Sequence, residues 1–402
     1  MPKYRLIIFL ITITIVLLFG TLFSLYARGY RFNSKNYKLD PNGLLVLKSN
    51  PDSAQIYLNG DLKTATNATV PLSPGTYDVN VRKEGFLEWK KRLTIEKEIV
   101  TEATAHLFKS APSLTAITFE SVENPTPSHD FTKIAYIVPS TTSNSDSSGL
   151  WVIENLNLPI GWAREPRRVT DGNLTGSTFI WSNDDRQILL TTAKSTYLLD
   201  SSTFTPQAQR VNVAGLKDDY LATWKESDIK QKTSQITNVP DQLQDLLSRK
   251  ASALIFSPDE DMVLYTASAE ADLRENLIPK LPGSSTQKED RNIEAGRTYV
   301  YDIKEDRNFL VDDHSDDLQI EGGFSDGFKR RLMWYPSSRN LILAEGEKVI
   351  IMDYDGTNHQ TVFSGSYASP NVFPTLSLDR LIILTNFGAT STPPNLYSLT
   401  IK

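Results

Sequence analysis

Apolar residues fall along this chain in three regimes. From Leu6 to Tyr26 they are nearly continuous, from Leu45 to Phe108 they alternate with polar residues, and beyond Ser113 they gather into short runs separated by turns. The continuous stretch is uncharged and follows Lys3 and Arg5. At ~1.5 Å rise per residue it spans roughly 30 Å, the thickness of a bilayer core, and so predicts a membrane anchor over Leu6–Tyr26. A signal peptide has a shorter apolar core, ~7–15 residues, ending at small residues. Leu25-Tyr26-Ala27-Arg28 offers no such cleavage site. Arg28, Arg31 and Lys35 compete with Lys3 and Arg5 under the positive-inside rule. The short tail before the span, against the bulk after it, favours a single-pass protein with a cytoplasmic N-terminus and an extracytoplasmic remainder.

The alternating region follows a polar spacer. Leu45, Leu47, Ile56 and Leu58 repeat at the period of a half-buried strand. Asn50-Pro51-Asp52-Ser53 and Asn59-Gly60-Asp61 read as turns, the second carrying a pair that tolerates positive φ. Pro74-Gly75 introduces a strand in which Tyr77, Val79 and Val81 alternate with Asp78, Asn80 and Arg82. Glu84-Gly85-Phe86 turns the chain into Trp89–Ile95, and Ile99–Phe108 closes the unit. These pieces resemble the PEGA domain, above all Leu72-Ser73-Pro74-Gly75-Thr76-Tyr77-Asp78-Val79 followed by Lys83-Glu84-Gly85-Phe86. The resemblance implies a small extracytoplasmic β-sandwich over 43–109 with a structural or binding role and no catalysis.

The third regime repeats. Phe179-Ile180-Trp181-Ser182-Asn183-Asp184-Asp185, Leu254-Ile255-Phe256-Ser257-Pro258-Asp259-Glu260 and Leu332-Met333-Trp334-Tyr335-Pro336-Ser337-Ser338 share one pattern. Weaker copies stand at Ser128-His129-Asp130 and Leu376-Ser377-Leu378-Asp379, and a strand-like run follows each. A periodic β-unit cannot bury its apolar face alone and must pack on its neighbours. The second to fourth copies predict four strands each, with Ala208–Val213 as the fourth of the second copy. The fifth copy runs out after three, and Ser113–Phe119 is a spare strand that would pair beside the terminal Asn395–Ile401 to close the array. The turns, with the later Asp355-Gly356-Thr357-Asn358, resemble those of TolB-type β-propellers. That resemblance implies a β-propeller, and the five copies predict five blades over 110–402. Two segments interrupt it. About 216–250 reads as helical, with Pro240 at a first helical position and Leu243, Leu246 and Leu247 on one face. About 269–295 reads as a long, polar, mobile loop. Residues 1–28 and 29–42 complete the layout as stub with anchor, and linker.

Composition narrows the chemistry. The chain has 402 residues, a net charge of -6 and no cysteine. It therefore lacks the basic footprint of a nucleic-acid binder and has neither disulfides nor thiolate sites. Gly323-Phe324-Ser325-Asp326-Gly327, with Asp353 and His359 after it, matches the nucleophile-elbow string. That mechanism needs a strand-to-helix elbow in a parallel sheet, and the string here precedes a β-run. His106, His129, His314 and His359 show no metal-ligand spacing. Asp312, Asp313, Asp316 and Asp317 read as a solvated acidic loop, without the glycine or terminal glutamate of a calcium loop. Arg82–Lys91 reads as a solvated hairpin face of mixed sign. Trp181, Phe256, Trp334 and Tyr335 recur at equivalent strand ends and read as packing rather than sugar platforms. Asn67-Ala68-Thr69 and Asn173-Leu174-Thr175 are sequons that only a eukaryotic secretory context would use.

The expectation is an all-β, membrane-anchored, extracytoplasmic, non-enzymatic binding or scaffold protein of the cell envelope. Its expected partners are the membrane, through Leu6–Tyr26, and envelope proteins or polysaccharide, with no nucleic acid. No catalytic, cofactor or metal residues are assigned. The alternative is a propeller-type hydrolase with its site at the channel mouth.

Overall fold

The computed structural model describes residues 2–27, 29–33, 38–140, 146–155, 165–279, 281, 283, 285–320, 328–389 and 391–402. The chain is mostly β, with one apolar helix at its N-terminus. It forms two compact units, Met1–Leu107 with Lys280–Lys288, and Phe108–Pro279 with Glu289–Lys402.

The first unit opens with helix α1 (Pro2–Ala27). Within it Ile7–Ala27 has a mean hydropathy of 2.6 and is unburied, long and apolar enough to cross a bilayer. Its polar residues are satisfied internally: Thr12 and Thr14 donate their hydroxyls to the carbonyls of Ile8 and Leu10, both at 2.9 Å. The spacer expected as a plain linker carries a hairpin, β1 (Tyr30–Asn33) with β2 (Lys38–Pro41).

Seven further strands make a sandwich: β3 (Gly43–Asn50), β4 (Gln55–Leu58), β5 (Asp61–Ala65), β6 (Ala68–Leu72), β7 (Gly75–Arg82), β8 (Trp89–Ile95) and β9 (Val100–His106). One sheet runs β6-β3-β9 and the other β5-β4-β7-β8. Strand β9 lies parallel to β3, with Leu45 opposite Thr101, so the chain's return crosses the sandwich. Inward positions of both sheets, among them Leu45, Leu47, Ile56, Val79, Val81 and Trp89, form one buried cluster. The β4–β5 turn uses Asn59 at φ 51 and Gly60 at φ 91, the paired positive values of a two-residue hairpin whose twist matches its strands.

Among the described residues, the second unit is built from five consecutive sheets of three or more strands, with one two-stranded sheet beside the third. Sheet I contains Glu123–Pro127, Lys133–Val138, Gly149–Glu154 and Arg167–Asp171. Sheet II contains Thr178–Trp181, Gln187–Thr191 and Thr196–Asp200, and sheet III Ala251–Phe256, Met262–Ala267, Thr298–Asp302 and Arg307–Asp312. Sheet IV adds Leu318–Gln319 to Arg330–Trp334, Asn340–Glu345, Lys348–Asp353 and Gln360–Ser364. Sheet V contains Val372–Pro374, Arg380–Thr385 and Asn395–Thr400 and is completed from far upstream, where Ser113–Ala116 pairs antiparallel with Asn395–Thr400, Ser113 opposite Thr400. The expected fourth strand of sheet II does not form. Residues Gln207–Gln209 are 3-10 helix, and a single bridge, Tyr197 to Asn212, is all that remains of the ladder.

Apolar clusters join sheet I to sheet II through Ile137, Val152, Trp181 and Leu190, and to sheet V through Tyr136, Ile153, Phe373 and Leu384. Another joins sheet III to sheet IV through Leu264, Val300, Leu332 and Trp334. The remaining face of sheet III carries Phe256, Tyr265, Tyr299 and Tyr301 and is covered by helix together with Leu273 and Ile293 of the 269–295 segment. Helix α2 (Lys217–Ile236) buries no residue, whereas α3 (Asp241–Arg249) presses Leu243, Leu246 and Leu247 onto that face. Pro240, expected at the first helical position, instead precedes the helix as N-cap.

The repeated turn has one geometry. Its fourth residue is left-handed in every copy: Phe131 at φ 56, Asp185 at 55, Glu260 at 60, Ser338 at 60 and Leu378 at 59. In three copies the first serine donates to the aspartate two positions on (Ser128–Asp130 2.7 Å, Ser182–Asp184 and Ser257–Asp259 2.6 Å). The same hydroxyls accept from the amides of Lys133, Gln187 and Met262 at 2.9–3.0 Å. Burial works to raise the pKa values of Asp130 and Asp259, but bonds from the serine and nearby amides outweigh it and hold both below the usual range. In the more exposed Asp184 the Ser182 bond dominates, with the same result.

Residues 269–295, expected as a mobile loop, are tied down at both ends. Ala271–Asp272 pairs with Asn292–Ile293, and Leu273 and Ile293 are buried. Arg291 bridges Glu289 at 2.9 Å and the fully buried Asp306 carboxylate at 3.1 Å, which also accepts the Tyr301 hydroxyl at 2.6 Å and the Leu277 amide at 2.8 Å. Polar composition hid this, because the polar groups bond one another.

Candidate binding surface

Strict alternation in the β5-β4-β7-β8 sheet sends Ile56, Leu58, Val79, Val81, Leu93 and Ile95 inward and leaves a polar outer face. That face holds a concavity of about 330 Å³ lined by Tyr57, Asp78, Asn80, Arg82, Lys90 and Arg92, with Lys91 at its margin. The Arg82 guanidinium lies 4.7 Å from the Tyr57 ring centroid, a cation–π stack that holds the phenol flat. Arg82 reaches Glu88 at 2.9 Å, and Lys90 reaches its other oxygen at 2.8 Å. Arg92 grips Asp78 with two donors, at 2.7 and 3.0 Å.

Hydrogen bonds from these cations hold both carboxyls below their usual range, Asp78 through Arg92 and Glu88 chiefly through Lys90. Both carboxyls are therefore ionised at neutral pH. Three cations (Arg82, Lys90, Arg92) stand against two carboxylates (Asp78, Glu88), a local balance of +1 on a chain of net charge -6, while Lys91, opposite the inward Val79, lies over the Trp89 ring. Such a face offers charge-assisted donors beside an aromatic platform, suited to an anionic, hydroxyl-rich polymer. The Arg82–Lys91 run is a mostly solvent-exposed hairpin face of mixed sign, as expected. The strand period also puts Tyr57 from β4 beside it, the signal that could have marked it from sequence.

The second unit distributes its chemistry differently. Gly323–Gly327, including Ser325, lies outside the described residues. Asp353 is buried and accepts from Asn340 at 3.1 Å, while His359 is exposed beyond the hairpin. His129 binds Asp185 at 2.8 Å, His314 binds Asp313 at 2.8 Å on the surface, and His106 sits on β9. Among the described residues, no three His, Asp or Glu side chains converge on a metal position. The acidic run is only partly solvated, which corrects the sequence reading. Arg330 donates to Asp312 at 2.6 and 3.0 Å and to Asp317 at 2.8 Å, and the Asp312 side chain is 9% exposed.

The recurring aromatics pack, as expected: Trp181, Phe256, Trp334 and Tyr335 are all buried. Two of them also reach the preceding sheet. Trp181 Nε1 donates to the Thr126 carbonyl at 3.1 Å, and Trp334 Nε1 to that of Ile255 at 3.2 Å. Lys402 Nζ lies 5.4 Å from the Phe108 ring and 5.6 Å from Tyr335, and burial lowers its pKa to about 8. An open groove of about 690 Å³ lies where α3 begins, floored by Val239, Leu277 and Ile303.

Residues 42–111 match the family model of the PEGA domain. No curated protein matches the chain. Among solved structures, TolB from Acinetobacter baumannii is similar at 12% identity and a TM-score of 0.21, with 81% of this chain and 60% of that one covered. An auxiliary nutrient binding protein from Bacteroides thetaiotaomicron is similar at 9% identity and a TM-score of 0.19, with coverage of 87% and 78%. The chain thus spans about 60% of the length of the Acinetobacter TolB.

Proposed function

We propose that this is a single-pass envelope protein that binds, without transforming, an anionic polysaccharide through the outer face of its PEGA domain. The observation that carries the reading is the Tyr57–Arg82 stack flanked by Lys90 and Arg92, a cationic patch on an acidic chain just beyond an apolar span. In this reading α1 crosses the membrane with its N-terminus in the cytoplasm and both units lie outside. The five sheets of the second unit act as blades of one propeller, with α2 and α3 inserted between the second and third. The Ser113–Ala116 pairing supports the proposed closure.

Binding is tested by co-sedimentation of the full chain, in detergent, with an insoluble anionic polysaccharide. Arg82→Gln with Arg92→Gln should weaken retention about a hundredfold, the loss of two charged contacts, while Lys194→Gln in the second unit leaves it unchanged. Equal retention of all three proteins would defeat the reading. Protease added to permeabilised cells should digest both units; protection would reverse the topology. The absence of catalysis is tested separately, since specific labelling of Ser325 by a serine-reactive probe would favour the hydrolase.

A further inference from the structure

Strand β8 ends its sheet, so one edge has no neighbouring strand. Such an edge is a template for pairing with another chain unless something covers it. In the antiparallel β7–β8 pair, backbone groups of alternate residues point away from the partner. Two of these outward groups are engaged by side chains from far along the sequence. The Thr94 amide donates to Thr286 Oγ1 at 3.1 Å, and the Arg92 carbonyl accepts from Gln287 Nε2 at 2.6 Å, across 192 and 195 positions. Gly283, at φ +79, lies so close to β9 that a Cβ there would collide with the Val100 carbonyl oxygen. These residues belong to the first unit and touch the edge strands of both its sheets.

Charge alone does not guard this edge. Lys90 and Arg92 would repel a second cationic strand, but Glu88 and Asp78 pair with them across the sheet face and leave only a small excess of positive charge. We propose that Gly283 and residues 285–287 form a strap that covers the β8 edge and blocks strand addition there by a second copy of this chain. Gly283 lets the strap seat against Val100, while Thr286 and Gln287 supply the hydrogen bonds that a neighbouring strand would otherwise make.

Hydrogen exchange and sedimentation of the full chain in detergent test this. Thr286→Val should speed exchange of the Thr94 amide about tenfold, as loss of one hydrogen bond allows. The Leu93 amide, which faces β7, serves as the unchanged reference. A second variant combines Gly283→Val, which unseats the strap, with Gly-Ser-Gly in place of Ser285-Thr286-Gln287. Its mass should rise with concentration relative to wild type. Unaltered Thr94 exchange in Thr286→Val, or a wild-type mass for the second variant at every concentration, would overturn the strap. The point variant keeps the test valid if the second misfolds.

Discussion

The Asp185 carboxylate is held by the turn before its own. It accepts the His129 amide at 2.9 Å, the His129 ring at 2.8 Å and the Asp130 amide at 3.1 Å, linking sheets I and II at one end. The bond to Asp185 raises the His129 pKa against partial desolvation. A raised folded pKa contributes stability that is complete below the unfolded value and lost as pH rises through the folded one. Thermal unfolding followed from pH 5.5 to 8.5 should therefore show wild type losing stability relative to His129→Gln as pH rises. Asp185→Ala should cost about 1–3 kcal/mol by stranding two amides.

Trp181 and Trp334 give a sharper comparison. Each buries a ring and spends its indole N–H on the preceding sheet. Replacement by phenylalanine keeps most of the packing and removes the bond, so Trp181→Phe and Trp334→Phe should each cost about 1–2 kcal/mol in denaturant unfolding. Alanine at either site should cost about 3–5 kcal/mol.

Lys402 makes the opposite prediction about pH. Its amine is buried over two rings, has no hydrogen-bond partner among the described residues, and titrates at about 8. Between that value and the ordinary lysine pKa the unfolded chain binds more protons, so stability rises with pH in this window. Lys402→Met should stabilise the protein at pH 7 by on the order of 2 kcal/mol, with the gain fading toward about pH 10. Burial pushes the Tyr335 hydroxyl up, so the trend in wild type continues once unfolded tyrosine ionises only until that loss of protons reverses it. Thermal unfolding of both proteins across this range checks the sign.

Arg330→Gln should strand the Asp312 carboxylate, whose pKa burial already raises. The expected cost is about 3 kcal/mol at pH 7, shrinking as pH falls and the carboxyl takes up a proton. Urea unfolding at pH 7 and pH 4.5 checks both signs.

Much of this architecture was legible because it rests on period and turn chemistry. Alternation at Tyr77–Val81 marks β7, and the aromatic-Ser-x-Asp strings locate the second and third repeats, with an aromatic-Pro-Ser variant at the fourth. What escaped depended on partners distant in sequence. Ala208–Val213 has acceptable strand composition, yet Gln207–Gln209 winds into a 3-10 turn and leaves Asn212 alone on the edge. The Asp306–Arg291 network and the contacts of Thr286 with β8 involve residues whose polarity suggests solvent. Local composition reports propensity, not which polar groups satisfy one another. The proposed binding face was half legible: its charges were visible as a run, but Tyr57 enters from another strand.

The five left-handed turn residues are Phe, Asp, Glu, Ser and Leu, so backbone shape there tolerates almost any side chain. The hydroxyl–carboxylate clasp preceding this position in three copies enforces the bend, which frees the position to diverge. Each repeat can thus drift in wording while its hinge keeps its angle, and the fourth residue becomes an adaptor between neighbours. Asp185 serves as a clasp on His129, Ser338 as an acceptor for the Asp259 amide, and Glu260 as a perch for Gln235 of α2.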